Sequence, residues 1–244
     1  MATKRKQPAK ASTRTIHDPI AVTVDVALVT AVDGGLQTLL VEREAEPFRG
    51  VFALPGGFVR EGESLEATAA RVLRDKAAVD GVFLEQLYTF GSPNRDPRMR
   101  IVTVAYYALV DAARFMAAEA RATAARTARL SVPWDGETGG PVGAAVDDTP
   151  TPLAFDHEDI LGMVVKRMRG KLDYSPIGFQ LLPQAFTLRD LQVVHETVLG
   201  TSLNKDSFRR RMLASGQLEA TGERQADVGH RPAELYRFVR RSAV

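Results

Sequence analysis

The stretch from Ala53 to Val79, ALPGGFVREGESLEATAARVLRDKAAV, limits the folds open to this chain more than any other part of it. Leu54-Pro55-Gly56-Gly57-Phe58-Val59 reads as a strand, a tight glycine turn and a second short strand, since glycine turns the backbone without a side-chain penalty. Ser64 and Glu66 then open a run to about Ala78 that holds neither glycine nor proline and is rich in Ala, Leu and Arg, which predicts a helix. Residues three and four apart share a helix face, so positions 72, 75 and 76 project together.

The same stretch resembles the Nudix box: glycine, five residues, glutamate, seven residues, then arginine-glutamate-aliphatic-x-glutamate-glutamate. Gly57, Glu63, Arg71 and Leu73 fall on that pattern. The resemblance implies an ion pair between Glu63 and Arg71 joining loop to helix, and three glutamates that gather Mg²⁺ on a pyrophosphate. Val72, Asp75 and Lys76 stand where those glutamates belong. Magnesium requires hard oxygen ligands, and this face offers an isopropyl group, one carboxylate and an ammonium. The chain therefore reads as built to recognise a nucleotide diphosphate compound and poorly built to hydrolyse one. No metal site and no catalytic residue is expected. Lys76 stands in for the missing metal charge, neutralising a bound phosphate without polarising it for attack.

Composition removes other classes. The 244 residues allow one large domain or two small ones, and 45% hydrophobic content suffices for proper cores. With no cysteine, disulfides, thiolate nucleophiles and Cys-based zinc sites are excluded. No apolar stretch reaches the roughly 18 residues of a membrane helix. The basic start, MATKRKQPAKASTRT, leads into no apolar signal core, so a cytoplasmic location is expected. Residues 1–15 read as a basic flexible arm, either a solubilising tail or an extra phosphate contact.

Further along, the β-branched run from Ile20 to Val32, the turn Asp33-Gly34-Gly35 and the run Leu36–Arg43 form a hairpin or adjacent strand pair. Phe83–Phe90 and Ile101–Val110 supply two more strands. Between them lies the loop Gly91–Arg98, whose Arg95 and Arg98, with Asn94 and Asp96, suit phosphate and ribose hydroxyls. YTFGSPNRDPR resembles a segment shared by Nudix ADP-ribose hydrolases and related regulators, which places Tyr88 or Phe90 to stack on adenine. The expected fold is an α/β/α sandwich of the Nudix type. Residues 112–149, alanine-arginine rich and then Gly/Pro-rich, read as an insertion at the sheet edge, with Trp134 available to dock it. His157 sits among Asp156, Glu158 and Asp159 at a helix start, where the helix dipole accounts for the acids better than a metal does.

After Pro183, Thr187-Leu188-Arg189-Asp190 has capping-box spacing, with Leu188, Leu191, Val194, Val198 and Leu199 on one apolar face. A short turn leads to a second helix, Asn204 to Ser215, burying Phe208, Met212 and Leu213 and presenting Lys205, Ser207, Arg209, Arg210 and Arg211. Leu218–Thr221 and Leu235–Val239 pair around a loop that carries Arg224, His230 and Arg231. Helix, turn, basic helix and hairpin is the layout of a winged helix, whose cations reach the major groove and the backbone of double-stranded DNA.

Taken together, LAFDHEDI, KLDYSPIGFQLLP, FTLRDLQ, NKDSFRRRML and GHRPAELYRF make the chain resemble the Nudix-related transcriptional regulators of NAD metabolism, from about Pro19 to Phe238. The resemblance implies a homodimeric repressor of NAD biosynthesis or salvage genes on a palindromic operator. Its effector would be ADP-ribose or a related NAD metabolite, with no cofactor required. The domain division it implies is a Nudix-like effector domain over 16–160, a connecting helix and linker over 161–183, and a winged helix over 184–244. Expected effector contacts are Arg43, Gly57, Phe58, Arg60, Lys76, Tyr88, Arg95, Asp96 and Arg98. Expected DNA contacts are Thr187, Asn204, Lys205, Ser207, Arg209, Arg210, Arg211, His230 and Arg231. The alternative is a Mg²⁺-dependent ADP-ribose pyrophosphatase with an appended winged helix.

Overall fold

The computed structural model describes residues 19–226 and 231–239, so the N-terminal arm and His230 lie outside the described residues. The fold grows from β1 (Ala21–Val32), whose residues Thr23 to Thr30 are all buried. A strand buried on both faces has to be paired on both edges. β1 is antiparallel to β2 (Gly35–Glu42) through the Asp33-Gly34 turn and parallel to β6 (Ile101–Leu109) on its other side. Alternation along β1 sends Val24, Val26 and Leu28 to one face of the sheet and Ala27 and Val29 to the other. On the first face lie α1 (Leu65–Ala77) and α2 (Ala112–Arg121). On the second lies α3 (His157–Lys171), with Ile160, Leu161, Val164, Val165 and Met168 buried. The result is the expected α/β/α sandwich. The main sheet runs β5 (Phe83–Phe90), β6, β1, β2, β7 (Ala125–Ser131), β8 (Gly143–Val146), β9 (Thr149–Thr151). Two short strands, β3 (Phe52–Ala53) and β4 (Gly56–Phe58), pair with β2 and β1 and carry the glycine turn.

Two expectations are corrected here. Residues 112–131 are part of the sandwich itself, not an insertion: β7 pairs antiparallel with β2 in the sheet, and Phe115, Ala118, Ala125 and Ala128 are core residues. The helix propensity is met over Ala112–Arg121, which form α2, whereas Ala125 and Ala128 pack in β7 with Arg126 and Arg129 facing solvent. The loop beyond is Gly/Pro-rich as expected, and Trp134 docks it, its ring 4.8 Å from the Arg169 guanidinium. The boundary placed at residue 160 falls inside α3, whose buried face covers the sheet.

A 3-10 turn (Pro176–Leu181) leads to α4 (Leu188–Leu199), α5 (Lys205–Ala214) and the hairpin of β10 (Leu218–Arg224) and β11 (Glu234–Phe238). The α4 capping box is complete: Thr187 Oγ1 accepts from Asp190 N, and the Asp190 carboxylate accepts from Thr187 N. Gly200, at φ 71°, ends the helix in a left-handed conformation that favours glycine. Phe208 and Met212, four apart, bury one face of α5, whereas Leu213, expected inside, is 44% exposed because one further residue turns it off that face. The apolar interior of these helices, through Val198, Phe208 and Tyr236, is continuous with the α3 side of the sheet. No helix among the described residues is long and apolar enough to cross a membrane.

Candidate functional site

A cavity of about 580 Å³ opens between the glycine turn, the end of α1, the 91–100 loop and the start of α3. Its shape depends on Gly56: a Cβ there would lie 2.0 Å from Asp25 Oδ1 and 3.1 Å from the Val24 carbonyl, so only glycine fits. Ser64 caps α1 by accepting from Ala67 N, and Glu63 clamps the loop to it. Arg71 Nε donates to Glu63 at 2.6 Å, Arg71 Nη2 donates to the Phe58 carbonyl, and the Thr68 hydroxyl donates to Glu63. The Arg71 hydrogen bonds hold the Glu63 carboxyl at a pKa of about 2. The ion pair implied by the sequence is therefore formed.

The three positions of the missing glutamates separate. Val72 is buried under the turn, its Cγ2 3.4 Å from where a Cβ on Gly57 would lie. Asp75 and Lys76 line the cavity, and Lys76 Nζ donates to the Gly56 carbonyl at 2.5 Å. Lys76 is exposed as a residue, yet desolvation of its ammonium lowers its pKa, and Arg43 and Arg71 add like charge. One carboxylate beside an ammonium does not fit a magnesium ion. Among the described residues no group of three His, Asp or Glu side chains is placed to hold a metal.

Arg43, Gly57, Phe58, Lys76, Arg95, Asp96 and Arg98 all line the cavity. Their availability differs. The Arg43 guanidinium lies 4.7 Å over the Phe155 ring, with Nε donating to the Pro47 carbonyl. Arg98, with its side chain 40% exposed, sits 5.8 Å from the Phe58 ring and 5.9 Å from that of Phe155. Asp96 accepts from the Arg98 backbone N–H, Nε and Nη2, which orients that guanidinium and lowers the Asp96 pKa. Arg95 is a structural cation instead: its side chain is 4% exposed and it donates to Asp156 at 2.6 and 2.9 Å and to Asp25 at 3.4 Å. Arg60 and Tyr88, expected as contacts, lie away from the cavity. Arg60 is exposed beyond β4, and Tyr88 projects from β5 against Phe90, their ring centroids 5.5 Å apart.

Asp25, Phe155 and His157 also line the cavity, and Asp156 backs it through Arg95. Asp25 is the lone acid in the apolar β1 run, which was a visible signal. Burial would raise its pKa, but the neighbouring His157, Thr103 and Arg95 outweigh burial and hold it below the ordinary range. His157 Nδ1 accepts from Leu54 N at 2.9 Å, and its Nε2 faces Asp25 at 3.8 Å. Phe155, at φ 58°, and Asp156 precede α3.

At the opposite end of the molecule, Lys205, Ser207, Arg209 and Arg210 are exposed along α5, and Asn204 caps that helix by accepting from Ser207 N at 3.0 Å. Arg231 is exposed at the wing. Thr187 is corrected: it is 3% exposed and its hydroxyl belongs to the α4 cap, so it is turned away from any groove. Arg211 leans off the face, donating to Asp173 at 3.0 Å.

Residues 20–132 match the NUDIX domain family, and residues 178–238 match the NrtR DNA-binding winged helix domain. The ADPR responsive transcriptional repressor NtrR of Acinetobacter baylyi is 36% identical over 220 residues, spanning 89% of this chain and 82% of that protein. NrtR of Shewanella oneidensis, crystallised with a 27mer DNA, shares 35% identity at a TM-score of 0.74, covering 89% of this chain and 93% of its own. An ADP-ribose pyrophosphatase of Methanocaldococcus jannaschii is 36% identical over only 80 residues, 31% of this chain and 47% of that protein. With a Nudix sandwich fused to this winged helix and such regulators matching 89% of its length, the chain belongs to the NrtR family of transcriptional regulators.

Proposed function

We propose that this protein is a cytoplasmic repressor of NAD biosynthesis or salvage genes. It binds a palindromic operator as a homodimer and senses ADP-ribose, or a related NAD metabolite, in the cavity beside the glycine turn. The observation that carries this reading is the pairing of two sites in one chain of this family: a basic, exposed α5 face, and a nucleotide-sized cavity rimmed by Arg43, Lys76 and Arg98. Cations suit a pyrophosphate, and the Phe58 and Phe155 faces suit a base or sugar. α5 enters the major groove, where Arg209 and Arg210 meet base edges or phosphates and Arg231 follows the adjacent backbone. The ligand is bound without being hydrolysed, since Val72 and Lys76 leave the site short of metal-binding acids. The alternative, a Mg²⁺-dependent ADP-ribose pyrophosphatase, draws on the 80-residue likeness to such an enzyme.

DNA footprinting with and without ADP-ribose tests the reading. A protected operator that ADP-ribose releases supports it, as does the absence of AMP after incubation with ADP-ribose and Mg²⁺. Protection indifferent to millimolar ADP-ribose, or rapid release of AMP, overturns it.

A further inference from the structure

We propose that α3 is the element through which the cavity positions the DNA-binding helices, and that Arg169 is the positioning residue at its far end. This rests on the functional reading above and adds how the two sites communicate.

The two ends of α3 belong to different sites. Its fifteen residues span about 22 Å. At the near end, Phe155, Asp156 and His157 connect to three cavity walls. Asp156 accepts from Arg95 of the 91–100 loop, His157 accepts from Leu54 N before the glycine turn, and His157 Nε2 faces Asp25 on β1. Phe155 holds a left-handed φ of 58°, uncommon for an aromatic residue, with its ring between Arg43 and Arg98 and against Phe48, ring centroids 4.9 Å apart. An anionic ligand drawing Arg43 and Arg98 toward its phosphates would pull them off that ring and release the strained link into the helix.

At the far end the contacts pass to the winged helix. Arg169 is 8% exposed. Its Nε donates to the Val198 carbonyl in the last turn of α4 at 2.9 Å, and its Nη1 donates to the carbonyls of Trp134 and Gly136 at 3.1 and 2.9 Å. One guanidinium thus satisfies an orphan carbonyl at the negative end of α4 and ties it to the loop between β7 and β8. Two residues beyond α3, Asp173 accepts from Arg211 on α5. Both helices of the DNA reader are therefore gripped from the end of α3. A helix transmits a displacement at one end to the other, and shifts of about 1–2 Å suffice at such interfaces. Arg167 and Lys171 tie the same turns to Glu85, and Arg167 also donates to the Leu87 carbonyl at 2.9 Å, through long, partly exposed side chains whose rotamers can follow a shift of that size.

The test uses the full-length chain and an operator duplex selected by the wild type from random-sequence DNA. Operator affinity is measured with and without ADP-ribose, alongside ADP-ribose affinity, for the wild type, Arg169→Gln and the exposed-site variant Asp173→Asn. The wild type is expected to lose about 5- to 150-fold in operator affinity on adding ADP-ribose, the usual size of coupling between sites. In Arg169→Gln that ratio falls below about 2-fold while ADP-ribose affinity stays within about 3-fold. Asp173→Asn, which leaves the interior untouched, lowers the ratio by a smaller factor. A merely structural role would weaken operator binding equally with and without ligand and leave the ratio unchanged. A responsive wild type whose two variants respond equally overturns the coupling alone. A wild-type complex indifferent to ADP-ribose overturns the functional reading and the coupling with it.

Discussion

Replacing Gly162 by alanine sets two effects of opposite sign against each other. Gly162 lies inside α3, where alanine is ordinarily the more stable residue by about 0.5–1 kcal/mol. Here a Cβ would fall 1.8 Å from the Gly140 carbonyl oxygen and 2.9 Å from its carbon. The obstacle is backbone, so relief requires moving the helix or the 139–141 turn, and overpacking of that kind costs about 1–3 kcal/mol or more. The clash wins, leaving the variant less stable by roughly 1–2 kcal/mol, which lowers Tm by about 2–8 °C for a chain of this size. Gly170, in the same helix, is the control. The nearest obstacle to its Cβ would be the Glu137 carboxylate, at 2.8 Å, the far end of a side chain that can swing away. Gly170→Ala should therefore be neutral or more stable by up to about 1 kcal/mol. Thermal unfolding of the two variants decides the matter: a Gly162→Ala protein as stable as Gly170→Ala refutes the packing argument.

Three further outcomes follow from the geometry. Burial pushes the His195 imidazole down to about 4, below its unfolded value of about 6.5, so the unfolded chain binds more protons between those pH values and stability falls as pH drops through that window. The loss between pH 7 and 5 is about 2 kcal/mol, and His195→Gln should remove that portion of the change in urea midpoint. Lys76→Ala should weaken ADP-ribose binding about 10- to 100-fold by calorimetry, the range of a hydrogen bond to a charged group, and chelating divalent cations should leave wild-type affinity unchanged. Arg209→Ala and Arg210→Ala should each reduce the slope of log affinity against log salt by about 1 where the lost contact is to phosphate.

The features legible in the sequence share one property: their partners lie close along the chain. Glu63 and Arg71 are eight residues apart, and the Thr187–Asp190 box closes over three, so local spacing was enough to find both. What escaped depended on distant neighbours. Arg95 looked free as a phosphate ligand because nothing nearby reveals that Asp156, 61 residues later, takes its guanidinium. Thr187 carries a polar side chain that suits DNA, and only the fold shows it turned inward. The alanine-rich stretch satisfied helix propensity over its whole length, whereas β7 is decided by its pairing with β2, a tertiary contact that overrides local preference. Phe155 gives no sign of its left-handed backbone, since that conformation is usually signalled by glycine or asparagine.

The apolar interior that runs unbroken from the α3 side of the sheet to Phe208 and Tyr236 makes the DNA reader a poor candidate for transplantation. Cut away, residues 184–244 would carry an oily underside into water, and the sandwich left behind would show the matching scar. The two halves are thereby expected to melt together, so a core lesion that destabilises one destabilises the other.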